Sequence, residues 1–149
     1  MRVHLTMAWV AAIACLAGVV LPEEADMKGA WRAESYILKE GVRHTVDGLL
    51  FFAERDWSVL FFVTGADGVP RRGSAEAGTY LLTADRLVFT HLYNLSGGEE
   101  MEGLPASDWR MQINQEEDAV IEPVRVEIAG DRLTLHFPSG NRMILRRSS

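Results

Sequence analysis

Leu87, Phe89, His91 and Tyr93 recur at every second position of one apolar stretch. In an extended chain alternate side chains share a face, so an imidazole and a phenol stand with a leucine and a phenylalanine on one surface. If that surface faces inward, both polar groups need partners, because a desolvated polar group costs free energy unless it is hydrogen-bonded. They would then fix the polar end of a ligand in an apolar cavity, or satisfy each other or a backbone group. The same two side chains are also the acid–base pair that an isomerase or hydrolase would use.

Other chemistry is thinly represented. His44 stands with Arg43 and Asp47 before a strand-like run, and His136 alternates outward on another. No two histidines have the close spacing that builds a metal site, so no metal is expected. The acidic clusters Glu99-Glu100, Glu102 and Glu116-Glu117-Asp118 lack the Asp-x-Asp-x-Asp-Gly spacing of a calcium loop and read as solvated loop faces. Ser74 and Ser96 lie near glycines but in no Gly-x-Ser-x-Gly elbow. Cys15 is the single cysteine, inside the N-terminal apolar segment, and a mature domain without that segment holds no thiol nucleophile. The net charge of −6 argues against nucleic acid, whose phosphates are held mainly by Lys and Arg. The expectation is a protein that is not an enzyme and needs no cofactor.

The elements that would position these residues are strands. From Lys28 onward, short apolar runs rich in aromatic and β-branched residues are separated by turn residues, which argues for a barrel or sandwich. Strands are predicted at Ala30–Leu38, Gly48–Glu54, Trp57–Thr64, Ala77–Thr83, Arg86–Tyr93, Val120–Ile128, Arg132–Phe137 and Arg142–Arg147. The connections at Glu54-Arg55-Asp56, Ala84-Asp85, Gly130-Asp131 and Ser139-Gly140 have turn chemistry, so consecutive strands read as hairpins. Eight is the number at which a closed barrel either fills itself or holds one small ligand. Asn94 to Ala119 is the exception, a long polar connection of the kind that is functional or mobile. Within it, Trp109-Arg110-Met111-Gln112-Ile113 would be an extra strand or a segment folded back over the barrel.

Alternation also assigns faces. Trp31, Ala33, Ser35 and Ile37 oppose Arg32, Glu34 and Tyr36; Met143, Leu145 and Arg147 oppose Arg142, Ile144 and Arg146. Two runs, Leu49–Ala53 and Val59–Val63, are apolar on both faces. A ribbon of Phe and Leu left in water needs a cover, either the Asn94–Ala119 segment or another chain, and a homodimer through the 49–63 hairpin is one such cover.

The N-terminus differs in kind. Arg2 and His4 precede an apolar run from Leu5 to Leu21, and Cys15-Leu16-Ala17 offers small residues for cleavage before Gly18. This is the pattern of a secretory signal over residues 1–17, with a polar spacer at 18–27 and the domain at 28–149. A run of about 17 residues is also at the lower limit for a retained membrane anchor, and lipidation at Cys15 is a third outcome. The expected location is secreted or periplasmic, with membrane contact only through an uncleaved signal.

Lys28-Gly29-Ala30-Trp31-Arg32 opens the first strand with a Gly-x-Trp sequence. With Ser35-Tyr36, Gly78-Thr79-Tyr80, Gly130-Asp131-Arg132-Leu133-Thr134-Leu135 and the closing Met143-Ile144-Leu145-Arg146-Arg147, it resembles the bacterial lipocalin-like domain family, a calycin-type barrel, over residues 28 to 147. The resemblance implies an all-β fold, an eight-stranded antiparallel up-and-down barrel. It also implies that Trp31 plugs one end and that a basic residue of the last strand, best matched by Arg147, lies across its ring. Gly29, Trp31 and Arg147 are then structural. The disulfides of many lipocalins are not evident, so no ligand class carries over. The expected function is binding of a small apolar ligand inside the barrel, with Phe51, Trp57, Phe61, Leu81, Phe89, His91 and Tyr93 as candidate lining residues. The alternative is a cell-envelope protein-interaction module that uses the 49–63 hairpin.

Overall fold

The structure, a computed structural model, describes residues 27–149; the predicted signal and most of the spacer lie outside the described residues. The strands are β1 (Gly29–Ile37), β2 (Arg43–Phe52), β3 (Asp56–Thr64), β4 (Pro70–Thr83), β5 (Arg86–Gly98), β6 (Ser107–Ile113), β7 (Val120–Ala129), β8 (Arg132–His136) and β9 (Arg142–Arg147), with one 3-10 turn at Glu116–Asp118. Neighbours follow the order β4-β3-β2-β1-β9-β8-β7-β5-β6, and pairing of β4 with β5 closes the ring. All these pairings are antiparallel. Eight strands therefore form a closed up-and-down barrel, and the ninth, β6, hangs on its outside edge.

Each predicted strand is present, and several are longer than expected. β2 begins at Arg43, which places His44 inside the strand rather than before it; β4 begins at Pro70; and β5 continues to Gly98. The expected free connection of Asn94–Ala119 is mostly structured. The lower half of β5 pairs with β7, Arg86↔Arg125 through His91↔Val120, and its upper half pairs with β6, Tyr93↔Ile113 through Gly98↔Ser107. Between them the Arg72 guanidinium donates to the carbonyls of Glu99 and Pro105 and to Ser107 Oγ. One cation thus answers both carbonyls and holds the 99–107 segment down.

The barrel core is the inward face of these strands. Trp31, Leu50, Phe52, Phe89, Val124, Val126, Leu133, Leu135 and Leu145 are almost fully buried, and Met27, counted with the spacer in the sequence, is fully buried with them. At this closed end Trp31 Nε1 donates to the Met27 carbonyl at 2.8 Å. The Arg147 guanidinium sits 4.2 Å from the Trp31 ring centroid and donates to the Lys28 carbonyl at 3.0 Å. An indole face attracts a guanidinium, and the planar fork can serve the ring and a carbonyl at once.

Two β-bulges break the alternation on which the face assignments rest. In β5, Gly78 faces His91 and Ala77 faces Tyr93, so Leu92 is an extra residue without a partner. Glycine is required opposite it: a Cβ on Gly78 would stand 1.8 Å from the Thr90 carbonyl oxygen. In β1 the register shifts between Ala33 and Ser35, after which Tyr36 pairs with Met143. A bulge moves every later side chain to the opposite face. Tyr36, expected outside, therefore reaches the interior, and Tyr93, expected inside, reaches the outer surface.

The outer face of β2–β6 keeps its apolar residues uncovered. β6 lies beside β5 instead of over the β2–β3 hairpin, so Phe51 and Leu60 remain exposed, and β6 adds exposed Trp109, Met111 and Ile113. Cover of the hairpin by the 94–119 segment is not what the chain adopts.

Candidate functional site

The bulge at Leu92 sets the site. Below it Leu87, Phe89 and His91 point inward; above it Asn94 and Ser96 do. On the paired strand, Ser74 and Glu76 face Ser96 and Asn94, and on the other side His91 faces Val120 in β7, two residues before Glu122. His91 is thereby flanked by carboxylates from both neighbouring strands.

Its Nδ1–H donates to Glu76 Oε2 at 2.8 Å. Its Nε2 lies 3.3 Å from Glu122 Oε2, at ion-pair distance but outside hydrogen-bond geometry. Burial by itself would lower the pKa of this imidazole; Glu122 and Glu76 outweigh it and hold the group up to about 9, so His91 is an imidazolium at neutral pH. Burial opposes ionisation of Glu76 too, yet hydrogen bonds from His91 and from Ser74 Oγ, at 2.5 Å, leave its carboxyl below its ordinary range. Tyr36 Oη accepts a hydrogen bond from Asn141 Nδ2 at 2.7 Å, and burial raises its phenol above the usual value.

These groups line a cavity of two connected parts. An outer chamber of about 360 Å³ opens between Tyr36, Phe61, Asn94, Gln112, Asn114, Val120, Phe137 and Ser139. An inner chamber of about 70 Å³ lies below it, walled by Leu50, Trp57, Val59, Phe89 and Leu135. Phe61, Glu76, His91, Glu122, Phe137 and Met143 border both. β6 supplies Gln112 and shapes the mouth, because Gln112 Nε2 donates to Asn114 Oδ1 and Asn114 Nδ2 to the His91 carbonyl. Among the described residues no lysine or arginine lines either chamber.

Of the candidate lining residues, Trp57, Phe61, Phe89 and His91 meet here: Trp57 lies 4.4 Å from Phe89 and 5.0 Å from His91 between ring centroids. Phe51, Leu81 and Tyr93 do not. They are 44 %, 62 % and 53 % exposed, Phe51 and Leu81 on the outward phase of their strands and Tyr93 turned out by the bulge. An acid–base pair of His91 with Tyr93 is accordingly not assembled. Sequence reasoning missed Glu76, Glu122 and Tyr36. For Glu122 a signal existed, since it shares its phase with Val124 and Val126 and is an acid on an otherwise apolar face.

The other two described histidines serve the frame. His44 is buried and its Nε2 donates to the Glu102 carbonyl at 2.9 Å; His136 Nε2 faces Glu127 at 3.4 Å. Among the described residues no group of three or more His, Cys, Asp or Glu side chains could hold a metal ion, and no helix is long and apolar enough to cross a membrane. A larger groove of about 710 Å³ lies outside the barrel by Trp109. Of the arginines that line it, Arg71 is engaged with Asp67 and Glu99 and Arg72 with the 99–107 segment.

No protein-family model matches the chain, and no curated protein matches it in sequence. Among solved structures it is similar to a lipocalin-like protein from Bacteroides uniformis, with 19 % identity, a TM-score of 0.51, and coverage of 83 % of this chain and 99 % of that one. At that identity the likeness concerns the fold, and it agrees with the closed ring of eight antiparallel strands. The chain has the lipocalin-like barrel fold.

Proposed function

We propose that the protein binds a small, mainly apolar molecule with one polar end in the open end of its barrel. The supporting observation is the two-part cavity that deepens from about 360 Å³ into a further 70 Å³ around the Glu76–His91–Glu122 cluster. Its size falls in the range of small-molecule sites, which are concave, largely apolar and carry a few placed polar groups. An imidazolium held between two carboxylates is a poor general base near neutral pH, which favours binding over proton-transfer chemistry. Export of the chain to the periplasm or outside the cell, expected from residues 1–17, belongs to the same reading.

The test is displacement of a neutral fluorescent hydrophobe, N-phenyl-1-naphthylamine, from the purified protein, alongside native mass spectrometry for co-purified molecules. Saturable fluorescence lost in a Leu135→Trp variant, which fills the inner chamber, supports the reading. Fluorescence that the variant leaves unchanged places the dye elsewhere and removes the support.

A second reading, an interaction module that pairs with its own copy, is favoured by β6. Every residue of this strand is exposed and, among the described residues, one of its edges has no partner strand, the arrangement that recruits another strand. If two β6 strands pair antiparallel about Trp109, Asp108 of each copy faces Arg110 of the other, and opposite charges directly across a ladder stabilise it. The exposed Trp109, Met111, Leu95, Leu60 and Phe51 would extend that contact over the hairpin of residues 49–63.

A further inference from the structure

Three polar groups meet around the inner chamber with hydrogen-bonding capacity to spare. Trp57 is 5 % exposed, and its buried Nε1–H has no acceptor among the described residues. His91 Nε2 is likewise buried and without a hydrogen bond, its neighbour Glu122 lying off the bond direction. Among the described residues Glu122 has His91 as its only ion-pair partner, whereas both oxygens of Glu76 are taken by Ser74 and His91. The chamber thus offers two donors and one carboxylate acceptor within about 70 Å³. Buried donors left unpaired cost roughly 1–3 kcal/mol each, so a guest that answers them is favoured over one that does not.

The charges narrow what the guest can be. Two carboxylates and one imidazolium leave the cluster net negative, and no lysine or arginine lines the cavity to offset it. An anionic head would be repelled. An ammonium head has only donors, so it would leave Trp57 and His91 unanswered and stand beside a second cation. A hydroxyl matches the set: its hydrogen goes to Glu122, and its lone pairs accept from Trp57 Nε1 or His91 Nε2.

We propose that the junction of the two chambers, at Trp57, His91 and Glu122, receives the neutral hydroxyl group of a small apolar molecule. The inference rests on the cavity being a ligand site and adds the chemical class of the ligand. The apolar body lies against Phe61, Phe137 and Met143, which border both chambers. A site built to hydrogen-bond a hydroxyl rejects analogues that lack it, because its own polar groups are then stranded.

The test is a series of equal chain length, 1-hexanol, hexylammonium, hexanoate and hexyl methyl ether, titrated into the full chain and followed by the indole N–H resonance of Trp57, assigned with a Trp57→Phe variant. The expected result is a shift of that resonance with 1-hexanol and binding at least tenfold tighter than for the other three. Glu122→Leu should abolish the preference for the alcohol over the ether, while Glu122→Gln, which keeps an acceptor, retains part of it. Equal or tighter binding of hexanoate or hexylammonium overturns the proposal and leaves the cavity reading standing. If none of the four moves the Trp57 resonance, because solvent alone fills the chamber, both fall.

Discussion

His91 and Tyr93 stand two positions apart on one strand and point to opposite sides of the barrel wall, because Leu92 between them is an unpaired residue of a β-bulge. The imidazole keeps the inward phase of its strand and lies between Glu76 and Glu122, while the bulge leaves the phenol 53 % exposed.

Gly78 is the position this arrangement depends on most. A methyl group there would meet the Thr90 carbonyl oxygen at 1.8 Å, so the β4–β5 ladder must separate to admit it. Gly78→Ala is expected to destabilise the fold by about 1–3 kcal/mol, the usual cost of overpacking. Chemical denaturation measures it, and an unchanged midpoint would contradict the close approach.

The His91 cluster makes stability depend on pH. The folded pKa of about 9 lies above the ordinary 6.5, so the contribution is complete below pH about 6.5 and is lost as pH rises through about 9. At about 1.4 kcal/mol per pKa unit this amounts to at most about 3.5 kcal/mol, less for screening by solvent in the cavity. Unfolding free energies at the two ends of that window should differ in the wild type and much less in His91→Gln. On the acid side, Glu76 has a lowered pKa, so its contribution falls as pH drops below its ordinary 4.5.

At the closed end, Arg147→Ala removes both the cation over Trp31 and the donor to the Lys28 carbonyl. A loss of about 1 kcal/mol is expected for an exposed guanidinium on an indole. Arg147→Lys should recover only part of it, since an ammonium lacks the planar fork. Thermal denaturation orders the three proteins, and equal stability of all three would deny the contact any weight.

Pairing through β6 predicts a charge-swap pattern. Arg110→Asp places like charges across the proposed two-fold ladder and should yield monomer; the double variant Asp108→Arg, Arg110→Asp should restore the dimer. Sedimentation equilibrium reads each state, and a wild type that stays monomeric at high concentration ends this reading.

The barrel was largely legible in the sequence because most of its strands carry a period-two apolar pattern and are bounded by turn residues, from Trp31–Ile37 to Met143–Leu145. The site was legible in part. Trp57, Phe61, Phe89 and His91 keep the phase of their strands and line the cavity. Tyr36 and Tyr93 exchange sides because each lies beyond a bulge, and a bulge adds one residue without altering composition. Glu76 fell outside its predicted strand, which began at Ala77, because Ser74-Ala75-Glu76 carries no apolar alternation. The carboxylate clamp on His91 is a product of register between strands, which no single strand's pattern records.

β6 touches the barrel through β5 and is tied down by Arg72 from the rim, yet it supplies Gln112 to the mouth. The part of the wall that shapes the mouth is thus separate from the part that keeps the fold. Sequence change in Ser107–Ile113 can reshape the entrance, or recruit a neighbour at the free edge, without disturbing a core whose strands close behind it. The shape of the entrance and the stability of the fold are carried by different segments of the chain, and the first can drift while the second stays still.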